Sequence, residues 1–473
     1  MNKPDRALLD RFASIVGPAN ALRPEGTDLT HYTQENRNIF HGATPLVLRP
    51  GSTGEVSQIM RLAFDTGTAI VPQGGHTGHA AGGAPDDSGT QIVVSMERMK
   101  ALREIDLAGN TMTVEAGMVL HQVQEIAAEH DRLFPLSLGS QGSCQIGGNI
   151  STNAGGTGVI AYGNTRDLVL GLEVVLPNGD IWNGLRKLKK DNTGYSLKNL
   201  FIGAEGTLGI VTAAVLKLFP KPRGREVAFA AVASPAHALE LLNLALGAAG
   251  NGLTAFELIH RTPLEFALTH APGSRDPFAE CHDWYVLAEI SSGRSAEDAR
   301  MLAETIFIEA HDKGLAVDSV LTESHAQQAT FWKLREDMAV AQTKEGGSIK
   351  NDISVPVHLI PAFLEKANAI IARKMPDARV VAFGHMGDGN LHYNISQPKD
   401  GDTDAFLARR ADINDAINAL VISLDGSISA EHGIGRLKRE VMAATKSPVE
   451  MAMMRAIKAA FDPTGIMNPG KVI

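Results

Sequence analysis

The sequence predicts an α+β fold in more than one domain, and three observations carry the prediction. At 473 residues the chain is too long for one ordinary core, so two or three domains are expected. From about residue 44 to 222, short strand-like runs alternate with glycine-rich turns and occasional helices. After a Pro/Gly/Arg stretch at 220–225 the pattern changes to longer strands between long amphipathic helices, which reads as an antiparallel sheet with helices on one face.

Each element has a local reason. Residues 1–43 read as a helical N-terminal segment. "TAIVPQGG" runs a strand into a glycine turn, "QIVVSM" and "TMTVEAG" are strands, and "MVLHQVQEIAAEH" is helical. "LGLEVVLPNGDIWNG" reads as a hairpin, with Asn178-Gly179 supplying the positive φ of a type I′ turn. Further on, "EVAFAAVAS", "DWYVLAEIS" and "VVAFGHM" are strands, while "PAHALELLNLALGAAG", "SAEDARMLAETIFIEAHDKG" and "VHLIPAFLEKANAIIARK" are helices. The expected division is 1–43, 44–222, 223–430 and a C-terminal segment 431–473.

Composition narrows the function classes. The net charge of −9, with Lys and Arg scattered, argues against a nucleic-acid surface. The two cysteines, Cys144 and Cys281, have no CxxC partner, so neither a thiolate zinc site nor a disulfide framework is expected and a reducing compartment fits. The first residues lack a long apolar stretch and no run of 18 apolar residues occurs. A cytoplasmic location is therefore expected, or the mitochondrial matrix in a eukaryote.

The 47 glycines cluster at 74–89, 139–163 and 203–209. Any one cluster reads most simply as a surface loop. Three within about 140 residues, each beside strand-like sequence, point to one extended ligand gripped by backbone N–H groups. "VPQGGHTGHAAGGAP" is neither GxGxxG entering a helix nor GxxxxGK[ST], so the two commonest nucleotide loops are excluded.

These stretches, with "GAEGTLGI" and the closing "FDPTGIMNPGKVI", resemble the FAD-binding domain of vanillyl-alcohol-oxidase-type flavoproteins. The resemblance implies a two-part FAD-binding domain and a substrate or cap domain. It implies cofactor contacts at Gln73, Gly74, Gly75, His76, Thr77, Gly78 and His79 in the first cluster. Pro135, Gly139, Ser143, Gly147, Gly148 and Asn153 follow in the second, then Glu205, Ile210 and Asn468. It also implies a buried C-terminus. His76 follows a Gly-Gly pair, the spacing at which some relatives attach FAD covalently; here a loop histidine and non-covalent FAD are expected.

"VVAFGHMGDGNLHYNIS" carries a second signal. With Asp388-Gly389 at the centre of a two-residue turn, Met386 pairs with Leu391 and His385 with His392, and Asn394 shares their face. Two imidazoles so placed can take neighbouring corners of a divalent metal. A third ligand is available from "SISAEHGIGRLKRE", where Glu431 and His432 are adjacent and point oppositely in extended chain. One as ligand and one as base is the natural division. The plainer readings are a half-buried polar pair and a helix-capping acid.

This half resembles the FAD-dependent D-2-hydroxyacid dehydrogenases. The resemblance implies zinc, or manganese, on His385, His392 and Glu431, with His432 as catalytic base. It implies substrate contacts from Arg335, Lys350 and Asn394. Arg335 suits a bidentate carboxylate grip and Lys350 a point charge. Two positions depart from the family pattern: Ala339 stands where a Thr is expected, and Asn351 where an aromatic residue is expected. Both bear on the distal end of the substrate.

The implied reaction oxidises a D-2-hydroxyacid, best D-2-hydroxyglutarate, to the 2-oxoacid with hydride transfer to FAD. D-lactate, D-malate and glycolate are the alternatives. No NAD(P) fingerprint, Fe–S cysteines or CxxCH occurs, so an external electron acceptor is expected, an electron-transfer flavoprotein or a quinone. No nucleic-acid partner is expected, and a homodimer is the default assembly. Readings from other classes are a flavin-free metal-dependent hydrolase and a non-catalytic ligand-binding protein.

Overall fold

In the computed structural model of the chain, residues 3–35 and 37–473 are described, so positions 1, 2 and 36 of the expected N-terminal segment lie outside the described residues. The chain divides into two compact units. The first comprises residues up to Gly155, Gly163–Pro220 and Glu431–Ile473; the second comprises Gly156–Tyr162 and Lys221–Ala430.

The first unit is built on two larger sheets, beside the short pair Arg132–Leu133 and Phe219–Pro220. Its four-stranded sheet runs Ala21–Leu22, Val47–Leu48, Ile92–Ser95, Ile70–Gln73, parallel except at the Ala21–Leu22 edge. A helix, Thr53–Thr66, connects two of these parallel strands. Ser52 caps it by accepting from the Glu55 N–H, Gly67 ends it in the left-handed region, and Val56, Ile59, Met60 and Ala63 form its buried stripe. The second sheet is antiparallel, in the order Leu102–Asp106, Thr111–Glu115, Ile210–Lys217, Val169–Val175, Ile181–Gly184.

The N-terminal segment is only partly helical. After the helix Arg6–Val16 the chain makes a short turn and then the edge strand Ala21–Leu22. The hairpin at 175–181 also differs from the type I′ expectation. Among the described residues of its turn only Gly179 has positive φ (84°), and the Gly179 N–H donates to the Leu176 carbonyl at 2.9 Å. Pro177, with φ fixed near −65°, suits the first corner of a type I turn, and Gly179 takes the left-handed position after it.

The C-terminus folds back as a structural element. Ser447 and Glu450 form a capping box on the helix Pro448–Phe461. Beyond it Asp462 accepts from the backbone N–H groups of Ile466 and Met467, and Met467 runs parallel to Ile70. Ile466 and Met467 are fully buried, as expected from the closing motif.

The second unit is one antiparallel sheet: Asp318–Leu321, Gly224–Val232, Trp284–Ser292, Leu253–His260, Arg379–His385, Asn390–Ser396, Ser348–Ile349, with Asp352–Ser354 also pairing to Asn390–Ser396. Helices cover both faces rather than one. Along Gly224–Val232, Ala228, Ala230 and Val232 join one core with residues of Pro235–Ala249, Ala296–Asp312, Ile360–Lys374 and Arg410–Ser423. Val227, Phe229 and Ala231 join another with residues of Arg261–His270 and His325–Ala341. The strand is apolar at consecutive positions, and a sheet apolar on both sides must be covered on both.

Candidate active site

Within the first unit the glycine segments line a pocket. Its wall includes Gln73–Gly78, Gly147, Gly148, Ser151, Thr152, Glu205, Ile210 and His432. Gly75 lets two backbones meet: a Cβ there would lie 2.1 Å from the Ser143 carbonyl oxygen. Gly78 and Gly148 differ, since a Cβ on either meets nothing of the protein within 4 Å. Smooth, side-chain-free wall is what a pyrophosphate needs for close approach to backbone N–H groups. Among the described lining residues there is no Lys or Arg, so anion contacts would come from backbone N–H groups and neutral donors such as Thr77, Ser151 and Thr152. Gln145 Oε1 is buried with no hydrogen-bond partner and Gln145 lines the pocket. The wall therefore fits a dinucleotide such as FAD.

Several expected contacts also serve the frame. Ser143 backs the first loop at Gly75. Asn153 ends the helix Ile146–Thr152 in the left-handed region, and its Oδ1 accepts from the Arg166 N–H at 2.9 Å. Asn468 donates to the carbonyls of Gly82 (2.9 Å) and Glu205 (2.8 Å), tying the C-terminus to two glycine segments. Pro135 is buried, Gly139 is exposed, and neither is on the pocket wall. His79 is also off the wall; its ring lies 4.7 Å from that of His432. His76 is on it, held at 2.9 Å from the Gln34 carbonyl, and burial pushes its pKa down.

Glu205 has a role the sequence did not disclose. It accepts from the N–H groups of Ile434 (2.7 Å) and Gly435 (2.8 Å), fixing the loop that follows His432. Burial pushes its pKa up against these bonds.

In the second unit the two hairpin histidines converge, by a register other than the expected one. Phe383, not His385, stands opposite His392, and His385 pairs with Glu257 on the neighbouring strand. Gly384, at φ 152°, and a 3₁₀ turn at Met386–Asp388 lengthen the hairpin. The shift is two residues, an even number, so His385 stays on the face of His392. The ring centroids are 5.5 Å apart.

Glu257, fully buried, joins the expected residues. It forms an ion pair with Arg335 and receives a hydrogen bond from His385 Nδ1. Burial alone would raise its pKa, but Arg335 and His385 outweigh that and hold it at about 2. An ionised carboxylate can only accept, so His385 Nδ1 carries a proton, and in the neutral imidazole the lone pair is then on Nε2. His392 Nδ1 lies 3.7 Å from Asp352 Oδ1. Burial outweighs Asp352 and brings the His392 pKa down to about 3, which keeps the imidazole neutral, the form a metal ligand needs. The pair thus has the donor chemistry for a divalent ion.

Arg335 is 7% exposed, with its guanidinium 4.8 Å from the Phe383 ring centroid. Asn394 is buried in a network: Oδ1 accepts from the Asn351 N–H, and Nδ2 donates to Gln342 Oε1. Lys350 lies half-buried between Ser348–Ile349 and Asp352–Ser354. Of the two departures, Ala339 is exposed, while Asn351 is buried and donates to the Tyr393 carbonyl. The segment leading to Glu431 is pinned locally. Ser427 pairs with Ser354, and the Ala430 N–H donates to the Asp352 carbonyl at 3.4 Å.

Residues 44–184 match the model of an FAD binding domain, and residues 221–472 match that of the C-terminal domain of FAD linked oxidases. The chain is 39% identical over 455 residues to a D-2-hydroxyglutarate dehydrogenase of Xanthomonas citri pv. viticola, covering 96% of this chain and 94% of the relative. It is 37% identical over 478 residues to one of Stutzerimonas stutzeri, covering 99% of each. The solved structure of p-cresol methylhydroxylase with substrate bound superposes with a TM-score of 0.77 at 17% identity, over 98% of this chain and 96% of that one, and shares the fold. Fold and matches together define a flavoprotein of the vanillyl-alcohol-oxidase type. Within that class, the chain belongs to the family of FAD-dependent D-2-hydroxyacid dehydrogenases. Among the described residues no helix is long and apolar enough to cross a membrane.

Proposed function

We propose that the protein oxidises D-2-hydroxyglutarate to 2-oxoglutarate, using FAD and a divalent metal, and passes the electrons to an external acceptor. The observation that carries the reading is near-full-length identity of 37–39% to two enzymes of that name. It is supported by His432 lying on the wall of the flavin pocket.

His385, His392 and Glu431 would hold the ion, zinc or manganese. Two imidazoles and one carboxylate leave positions open for substrate. The ion supplies Lewis acidity toward the 2-hydroxyl. FAD supplies a two-electron acceptor for the C2 hydride. His432 takes the hydroxyl proton, a task suited to a group whose ordinary pKa is near neutral. Arg335 and Lys350 hold the carboxylates, and Asn394 orients the substrate; fixing both ends of the acid lowers the entropy cost of alignment. His76 is already engaged with Gln34, which favours non-covalent FAD. Acid precipitation is then expected to release all the yellow colour. The acceptor is an electron-transfer flavoprotein or a quinone.

A panel of D- and L-2-hydroxyacids with a dye acceptor tests the reading. D-2-hydroxyglutarate is expected to have the highest kcat/KM, with activity lost on chelation and restored by zinc or manganese. Preference for D-lactate, D-malate or glycolate would move the assignment to that acid, and preference for an L-acid would contradict it.

A further inference from the structure

The geometry points to Glu257 as a positioning residue that couples the metal ligand His385 to the substrate-gripping Arg335; the inference rests on the metal and substrate roles proposed above. Glu257 lies on Leu253–His260 and pairs across the sheet with His385 on Arg379–His385. Its side chain has no solvent exposure. One carboxylate oxygen accepts from His385 Nδ1 and the other from Arg335 Nε.

Both contacts demand an acceptor. Glu257 thereby sets the His385 tautomer so that Nε2 presents its lone pair, and it fixes the ring's rotation. By the same carboxylate it fixes Arg335, whose guanidinium is also seated on Phe383. The two Nη groups of Arg335 are then left for a substrate carboxylate. One buried group thus holds the ion's ligand and the acid's clamp at a set separation.

Glu257→Gln isolates this role, because an amide has one acceptor oxygen and must turn its NH₂ toward one of two donors. If the NH₂ faces His385, Nδ1 must accept and the proton moves to Nε2, where it blocks the metal. If it faces Arg335, the clamp loses its anchor. Zinc titration of the FAD-loaded full chain is expected to show affinity weaker by about 10–100-fold, the range for losing such a partner, while FAD content stays at the parent level. KM for the acid is expected to rise more than kcat falls. Histidine ¹⁵N spectra are expected to show His385 protonated on Nδ1 in the parent and changed in the variant.

A folded Glu257→Gln protein that both binds zinc within twofold of the parent and keeps the parent KM overturns the inference, provided His385→Ala abolishes zinc binding. If His385→Ala also binds zinc normally, the metal reading itself fails and takes this inference with it. Should Glu257→Gln not fold, because it leaves Arg335 buried without its counter-charge, the charge-balanced pair Glu257→Leu/Arg335→Leu, which leaves His385 Nδ1 no acceptor at 257, replaces it. That pair is expected to bind zinc weakly and Arg335→Leu alone normally; normal zinc affinity in the double variant overturns the inference.

Discussion

The pocket of the first unit and the polar cluster of the second are built by opposite means. The pocket of the first is walled by glycine segments, where backbone N–H groups and the absence of side chains matter most. The cluster of the second is a set of polar side chains: His385, His392, Glu257 and Asn394, placed by sheet register, and Arg335 from the helix His325–Ala341. A backbone cradle tolerates changes of side-chain charge but not of volume. A side-chain cluster tolerates little change in which atoms donate and which accept. Variants that alter volume alone or chemistry alone therefore test the contrast.

The largest expected effect is chemical. His432→Ala removes the candidate base and should lower kcat by roughly 10²–10⁴-fold, the range for general-base catalysis, while FAD stays bound. Steady-state kinetics beside the flavin spectrum checks it, and normal turnover refutes the assignment.

Next is a pure volume change at Gly75. An alanine Cβ there would meet the Ser143 carbonyl at 2.1 Å, so the first loop must shift. Purified Gly75→Ala is expected to retain less than about a tenth of the parent FAD, a loss of about 1.4 kcal/mol or more in binding. Gly148→Ala sharpens the point, because its Cβ enters open pocket space on the helix Ile146–Thr152. The FAD-free protein should be unchanged or stabilised by about 0.5–1 kcal/mol through helix propensity, yet bind FAD more weakly. Thermal melts with and without FAD separate the two effects.

The smallest effect concerns Lys471, in the buried C-terminus of the first unit. It is 3% exposed, and burial brings its pKa down to about 8 from an ordinary 10.5, with Asp86 opposing and Arg436 assisting. Between pH 8 and 10.5 the unfolded chain holds this proton more tightly, so its contribution to stability rises with pH there. Below pH 8 the charged form is carried at a constant cost. Lys471→Met is expected to raise Tm by a few degrees at pH 7, an effect on the order of 1 kcal/mol. The gain should shrink as pH approaches 10.5; a gain independent of pH would contradict the assignment.

What could be read from the sequence followed the range of the interactions. Glycine clusters and the NPG-containing tail are local signals, so the cradle and the buried C-terminus were legible. The histidine pair was legible because face-sharing depends on parity, even though the turn was longer than Asp388-Gly389 suggested. Glu257 was hidden because its partners lie 78 and 128 residues away. The available signal was one acid inside the apolar strand "LTAFELIH". Helices on both sheet faces were missed because short apolar runs do not show how many faces are covered. Asn153 and Asn468, read as ligand contacts, also bond to backbone of the frame, a second role that residue identity does not carry, and Asn468 Oδ1 stays buried without a hydrogen-bond partner.

The central claim is that a metal-assisted D-2-hydroxyacid site delivers a hydride to the flavin of this chain. Anaerobic mixing of the FAD- and metal-loaded protein with D-2-hydroxyglutarate, followed at the flavin absorbance band, tests it most directly. The account predicts full bleaching in a single turnover with the D-acid, none with the L-acid, and none after the metal is stripped until zinc or manganese is returned. Bleaching that is indifferent to the metal, or a flavin that stays oxidised with the D-acid, would contradict it.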